Sequence, residues 1–287
     1  MCGRFTLHAP ARAVAEQFAL LEVPPLGPRY NIAPSQPVAV VRLAAGQPHR
    51  QLVLLRWGLI PSWADEPAVG NRLINARAET AADRPAFRAA FRRRRCLIVA
   101  DGFYEWRTVE RGVPASPGHE WQTVEKGPAS PGQRPQPASR RQPHFIRMRD
   151  DRPFGFAGLW ETWQPGEKYS AASAADDLNP QIPKSPNRSS SSPAAAAVES
   201  CTILTTEANE LVRPIHDRMP VIIDAADYDH WLDPAVAGPE PLVKLLRPYP
   251  SERMVVYAVS TLVNSPANDD PRCIEPAEGA GGGPELF

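Results

Sequence analysis

Nine short apolar runs, at residues 38–41, 52–57, 96–100, 103–106, 144–148, 154–160, 202–205, 220–223 and 255–259, recur along the chain, and most are joined by loops rather than helices. A parallel strand pair needs a crossover of a dozen or more residues, usually helical, whereas an antiparallel pair needs only a turn. The spacing therefore predicts a mostly antiparallel sheet, curved or closed into a barrel. Helical stretches are few and short: 11–18 just after Pro10, 80–94, 207–212 after a Thr cap, 225–232 capped by Asp224, and 242–246. They are expected to flank the sheet, giving a single α+β domain over residues 2–275. A chain of 287 residues with 43% hydrophobic content can bury a substantial core.

Two tracts read as insertions. Residues 107–142 are rich in Pro, Gly and Ser and contain an imperfect duplication, because Glu105-Trp106-Arg107-Thr108-Val109-Glu110 recurs as Glu120-Trp121-Gln122-Thr123-Val124-Glu125. Two units are too few for a solenoid and suit a lengthened loop. Residues 165–198, with the run Ser-Ser-Ser-Ser-Pro-Ala-Ala-Ala-Ala, have little to bury and are expected to be disordered, as is a flexible tail at 276–287.

The zero net charge hides an asymmetry: residues 1–150 hold 22 Lys+Arg against 12 Asp+Glu, and the remainder 10 against 20. Only Lys126, Lys168, Lys184 and Lys244 are lysines, so the basic half is an arginine half. Forked guanidinium donors suit phosphate; abundant Ala and Pro allow base composition as an equal explanation. No apolar run approaches the roughly 18 residues of a membrane span, and no basic-then-apolar leader opens the sequence. A cytoplasmic, DNA-associated location is expected, nuclear in a eukaryote. Cys2, Cys96, Cys201 and Cys273 form no CxxC pair, so neither a metal site nor a disulfide framework is suggested, and no cofactor is expected.

The chemistry concentrates at the beginning of the chain. Removal of Met1 would leave Cys2 carrying an α-amine and a thiol in 1,2 relation. An aldehyde that condenses with the amine can then be attacked by the thiol, closing a five-membered thiazolidine. An ordinary α-amine, with a pKa of about 7.7–8.0, is partly neutral at cellular pH and needs little tuning to act as a nucleophile. Taken alone, a cysteine at position two is an accident of the N-terminus.

Seven strings follow in order: Met1-Cys2-Gly3-Arg4-Phe5, Arg29-Tyr30-Asn31-Ile32-Ala33-Pro34, Arg56-Trp57-Gly58-Leu59-Ile60-Pro61-Ser62-Trp63, Asn75-Ala76-Arg77-Ala78-Glu79-Thr80, Asp101-Gly102-Phe103-Tyr104-Glu105-Trp106, Phe156-Ala157-Gly158-Leu159-Trp160-Glu161 and Ile215-His216-Asp217-Arg218-Met219-Pro220. Each alone is weak. Together they resemble the SRAP family, the SOS-response-associated "peptidases", over residues 2–106, 143–163 and 199–275. The resemblance implies a single SRAP-like domain that acts as a monomer, recognises abasic sites in single-stranded DNA and links to them covalently through Cys2. It also implies that Glu105 and His216 move protons and that Asn75 orients the amine and the opened sugar. DNA contacts are implied for Arg4, Asn31, Pro34, Trp57, Pro61, Trp63, Arg77 and Thr205, with Arg84 and Phe87 as lesser candidates.

The residues by themselves leave other roles open. Without the family, Glu105 reads first as a strand carboxylate paired with an arginine, His216 as a helix cap, Asn75 as a turn or capping residue and Trp57 as core, while Arg92–Arg95 reads as a solvated helix end ahead of a DNA contact. Glutamine amidotransferases also begin Met-Cys-Gly, so an N-terminal-nucleophile thiol amidohydrolase is the competing function, beside an autopeptidase and a non-catalytic DNA-binding module.

Overall fold

The computed structural model describes residues 2–43, 46–47, 49–109, 140–165, 196–236 and 238–277. Two sheets share one core. The first is antiparallel throughout and has five strands: β1 (Arg4–Leu7), β2 (Arg29–Ile32), β7 (Gly102–Val109), β8 (Arg140–Met148) and β13 (Met254–Ala258), in the order β13-β8-β7-β1-β2. The second contains β3 (Pro37–Leu43), β4 (Arg50–Trp57), β6 (Arg95–Ala100), β9 (Phe154–Trp163) and β10 (Val198–Glu207). These five pair in a ring, because β10 meets both β4 and β9, and so close the barrel that the strand spacing predicts. The short strands β5 (Asn75–Arg77), β11 (Arg218–Pro220) and β12 (Ile222–Ile223) extend it. Among the described residues only the pairings of β10 with β4 and β5 are parallel.

Helix α1 (Ala11–Phe18) occupies the expected span and turns Val14 and Phe18 inward. The helix expected over 80–94 is two, α2 (Ala78–Ala81) and α3 (Arg88–Arg93), because Pro85 supplies no N–H to a continuous ladder. No helix forms over 207–212. The Asn209 side chain accepts from the Val212 N–H at 3.0 Å, and Pro214 ends the turn that follows. Asp224 caps the turn Ala225–Asp227 as expected, leading into α4 (Tyr228–Leu232), while Pro239 starts α5 (Pro239–Val243) earlier than 242–246. Strands β1, β2 and β5 have no counterpart among the nine apolar runs; they are three or four residues long and carry arginine and asparagine.

The two tracts read as insertions each join a pair of antiparallel strands. The β7–β8 register runs to Val109↔Arg140, so strand structure enters both ends of 107–142. The rest of that tract, residues 166–195 of the second, and 278–287 of the tail lie outside the described residues.

Packing then ties the strings together. Phe5, on the inner face of β1, meets Trp57 edge-on at 5.0 Å and Phe156 at 5.8 Å, joining the first sheet to the barrel. Complete burial of its ring is worth about 2 kcal/mol. Gly102 is required because a Cβ there would stand 2.1 Å from the Phe145 ring. Gly58 has φ +127°, and a Cβ on it would press on the Gly70 carbonyl oxygen at 2.6 Å.

Candidate active site and nucleic-acid interface

Cys2 lies just ahead of β1, completely buried. Its Sγ is 3.8 Å from the Arg4 carbonyl oxygen, and its own carbonyl accepts from Asn75 Nδ2 at 2.7 Å. Asn75 is placed by β5, whose parallel register with β10 sets it opposite Ile203. A single amide thus pins the start of the first sheet to the barrel. Asn75 Oδ1 is buried and lacks a hydrogen-bond partner among the described residues.

The antiparallel register Arg4↔Tyr104 and Phe5↔Phe103 carries Glu105 past the beginning of β1 toward Cys2. Glu105 is 2% exposed, and His144 stands directly across from it on β8. Burial pushes its carboxyl up to about 7, with the Asp217 charge acting in the same direction. Burial, and then the Glu105 charge, push the Cys2 thiol far above its ordinary value, so the sulfur is held as a neutral thiol.

His216 sits in the turn before β11, partly buried, and burial lowers its pKa. Its Nδ1 is 2.9 Å from the Arg218 backbone N–H and 2.9 Å from Asp217 Oδ1. The neutral ring can accept from the N–H, and the protonated ring can donate to the carboxylate, so both protonation states find a partner. Arg218 braces this turn: its guanidinium reaches both oxygens of Glu79 at 2.7 and 2.9 Å and also bonds the Thr205 carbonyl. Asp217, Arg218, Glu79 and His144 were not among the expected site residues. The first three lie inside the strings that include His216 and Asn75, and only the fold brings them together.

The expected DNA contacts separate into an outer and an inner group. Trp63 is 64% exposed at the tip of a turn closed by Ala64 N–H donating to the Pro61 carbonyl at 2.9 Å; Pro61 itself is buried. Arg77 is exposed and Pro34 half-buried. Trp57 is core, with no exposed surface, and its Nε1 donates to the Ile74 carbonyl at 2.9 Å. Asn31 is a buried clasp, donating to the carbonyls of Ser265 and Asn268 at 2.9 and 2.7 Å and accepting from Arg4 at 2.7 Å. Arg4 also donates to the Val263 carbonyl at 2.7 Å, so its guanidinium is engaged within the protein. Thr205 is buried beneath Arg218. Among the lesser candidates, Phe87 is core and Arg84 is exposed.

Among the described residues no cluster of three His, Cys, Asp or Glu could hold a metal ion, and no helix is long and apolar enough to cross a membrane. A cleft of about 340 Å³ beside Arg149, Tyr228 and Arg253 shares no residue with the Cys2 site. The Cys2 site is instead a junction of strand ends, able to move protons around a buried thiol.

Comparison with known proteins gives one family. The model for SOS response associated peptidase (SRAP) matches residues 1–266. The chain is 36% identical over 278 residues to the abasic site processing protein YoqW of Bacillus subtilis, covering 96% of this chain and 99% of that protein. It is 30% identical to the abasic site processing protein HMCES of Gallus gallus, covering 88% and 67% respectively. A crystal structure of a protein from Bacteroides thetaiotaomicron superposes with a TM-score of 0.69 over 96% of this chain and 100% of that one, at 21% identity, which speaks to the fold alone.

Proposed function

The chain belongs to the SRAP family, and from that premise we propose that it processes abasic sites in single-stranded DNA by trapping their aldehyde on Cys2. The observation that carries this reading is the convergence of Cys2, Asn75 and a buried Glu105 at one junction of strand ends, where burial pushes the Glu105 carboxyl up to about 7. Once Met1 is removed, the Cys2 amine adds to the aldehyde carbon, and loss of water gives an imine. The thiol then adds across the C=N bond: an S–C bond forms, the sulfur's proton ends on nitrogen, and the net change is loss of one water.

Each step moves a proton. A carboxyl with a pKa near ambient pH is divided between acid and base forms and can serve both carbinolamine dehydration and thiol addition. His216 relays protons at the opened sugar, its Nδ1 held between the Arg218 N–H and Asp217. Asn75 fixes the Cys2 backbone so that the amine emerges beside Glu105. Arg77 contacts phosphate and Trp63 stacks on a flanking base, because a lesion without a base leaves only those terms for affinity. Arg4, Asn31, Pro34, Trp57, Pro61 and Thr205 act by holding the strands that carry these groups. The protein acts as a single chain, shielding the lesion.

The test is intact-mass analysis of the Met1-processed protein after incubation with abasic single-stranded DNA. The expected product has the combined mass less one water, survives heat and denaturant, and is absent from Cys2→Ala. An equally stable adduct of Cys2→Ala, formed without a reductant, would refute the proposal.

A further inference from the structure

Helical hydrogen bonding begins one turn ahead of α3, where the Arg88 N–H donates to the Arg84 carbonyl at 2.8 Å and Phe91 to Phe87 at 2.8 Å. The inner face carries Phe87, Ala90 and Phe91, all buried, with Phe91 edge-on to Trp231 at 6.2 Å. The outer face carries Arg88 and Arg92, four apart and therefore in one row, with Arg93 beside them and Arg84 one turn earlier, in the turn that leads into the helix. All four are exposed, and none makes an ion pair among the described residues.

Local electrostatics does not account for this row. Cations are favoured by the helix dipole only in the last turn, which covers Arg92 and Arg93 but leaves Arg84 and Arg88 at the unfavourable end. Even the last turn is already served. Buried Arg95 donates through NH1 to the Phe91 and Arg92 carbonyls at 2.7 and 2.9 Å, and Arg94 pairs with Glu161. The run Arg92–Arg95 is thus two internal arginines and two exposed ones. Nearby carboxylates do not neutralise the row, since Glu79 is taken by Arg218 and Asp83 makes no ion pair among the described residues. Like charges four apart on a helix, as Arg88 and Arg92 are, repel weakly, a cost that an external polyanion would relieve.

We infer that the Arg84–Arg88–Arg92 row is a second contact surface for the sugar-phosphate backbone, engaging the DNA strand where it flanks the lesion. Arg88 and Arg92 stand about 6 Å apart along α3, and Arg84 ahead of them follows seven residues after Arg77, which leaves β5 at the Cys2 site. The inference rests on the abasic-DNA reading for its partner.

The experiment measures equilibrium binding to single-stranded DNA containing a tetrahydrofuran abasic analogue, which has no aldehyde and cannot crosslink. A minimal oligonucleotide, with one nucleotide on each side of the analogue, is compared with one extended on both sides. For the R84Q/R88Q/R92Q protein the salt dependence of log K on the extended strand should be shallower by about 2, at about 0.7 per lost phosphate contact. On the minimal strand the two proteins should agree. Relief of repulsion should leave the variant's melting temperature no lower than the parent's. Identical slopes on the extended strand, or equal flattening on both strands, would overturn the inference. Crosslinking to true abasic DNA is read in parallel; its failure in the parent counts against the trapping chemistry alone, while the slopes still decide the arginine row.

Discussion

Two buried carboxylates stand four residues apart beside strand β1, and their surroundings could hardly differ more. Asp101, at the Leu7 end, accepts from Thr6 Oγ1, from the His8 N–H and from the Ala9 N–H at 2.7 Å, with His8 Nδ1 also in contact. Glu105, at the Cys2 end, is pushed up to about 7 by burial. The first is a fastener that keeps the end of β1 on the sheet. The second retains an energetically poised proton next to the thiol, which is the condition for acid–base work. The comparison teaches that burial alone does not assign a carboxylate its role: Asp101 is committed to contacts that fasten one end of β1, while Glu105 lies at the end where the thiol stands.

The largest effect expected from breaking this contrast is kinetic. Glu105→Gln should slow adduct formation about 10²–10⁴-fold, the usual worth of a positioned acid or base, whereas Asp101→Ala, assayed per folded molecule, should stay within severalfold of the parent. Timed quenches on denaturing gels give both rates, and similar losses in the two variants would erase the distinction.

Stability should invert the ranking. Asp101→Ala strands several buried donors and should cost about 3–5 kcal/mol in urea unfolding. Glu105→Gln should instead stabilise above neutrality. Burial pushes the folded carboxyl up to about 7 from an ordinary 4.5, so the folded state should hold an extra proton between those values. The stability linked to that proton is complete below about pH 4.5 and lost as pH rises through about 7. The variant should therefore match the parent at low pH and exceed it by up to about 3 kcal/mol above pH 7; a variant weaker at both ends would remove the argument.

The tryptophans sharpen the same contrast between fastening and function. Trp63→Ala should weaken binding to single-stranded DNA by about 1–3 kcal/mol with the melting temperature unchanged. Trp57→Ala should destabilise the fold by about 3–5 kcal/mol. The smallest effect belongs to Glu120→Gln, in the second copy of the duplicated string. Only the first copy follows Asp101-Gly102-Phe103-Tyr104 in the sequence, and β7, paired with β1 through Tyr104, runs on into it. Adduct formation by Glu120→Gln should equal the parent's, and a loss like that of Glu105→Gln would transfer the role to the wrong copy.

Sequence legibility followed the same division. Eight of the nine apolar runs, α1 and the Asp224 cap were readable because local apolar pattern and cap chemistry agree with the tertiary structure; the run 220–223 is instead divided at Val221 between β11, which pairs with β10, and β12, which pairs with β9. Strands β1, β2 and β5 were not, since three or four residues carry too little periodicity and are made strands by their neighbours. Family strings located Cys2, Asn75, Glu105 and His216, but a string states no direction. That Trp57 points into the core while Trp63 points out, or that Asn31 and Arg4 clasp the segment around Val263, follows from long-range packing. The brace from Arg218 to Glu79 spans 139 residues and has no local signal at all.

The most direct measurement is a carboxyl-carbon NMR titration of Glu105 in the folded protein, assigned by its loss in Glu105→Gln. A midpoint near 7 is the predicted result, placing a half-protonated carboxyl beside Cys2 at cellular pH. A midpoint near the ordinary 4.5 would leave Glu105 ionised at cellular pH with no proton to give, and the proton transfers would have to be assigned elsewhere.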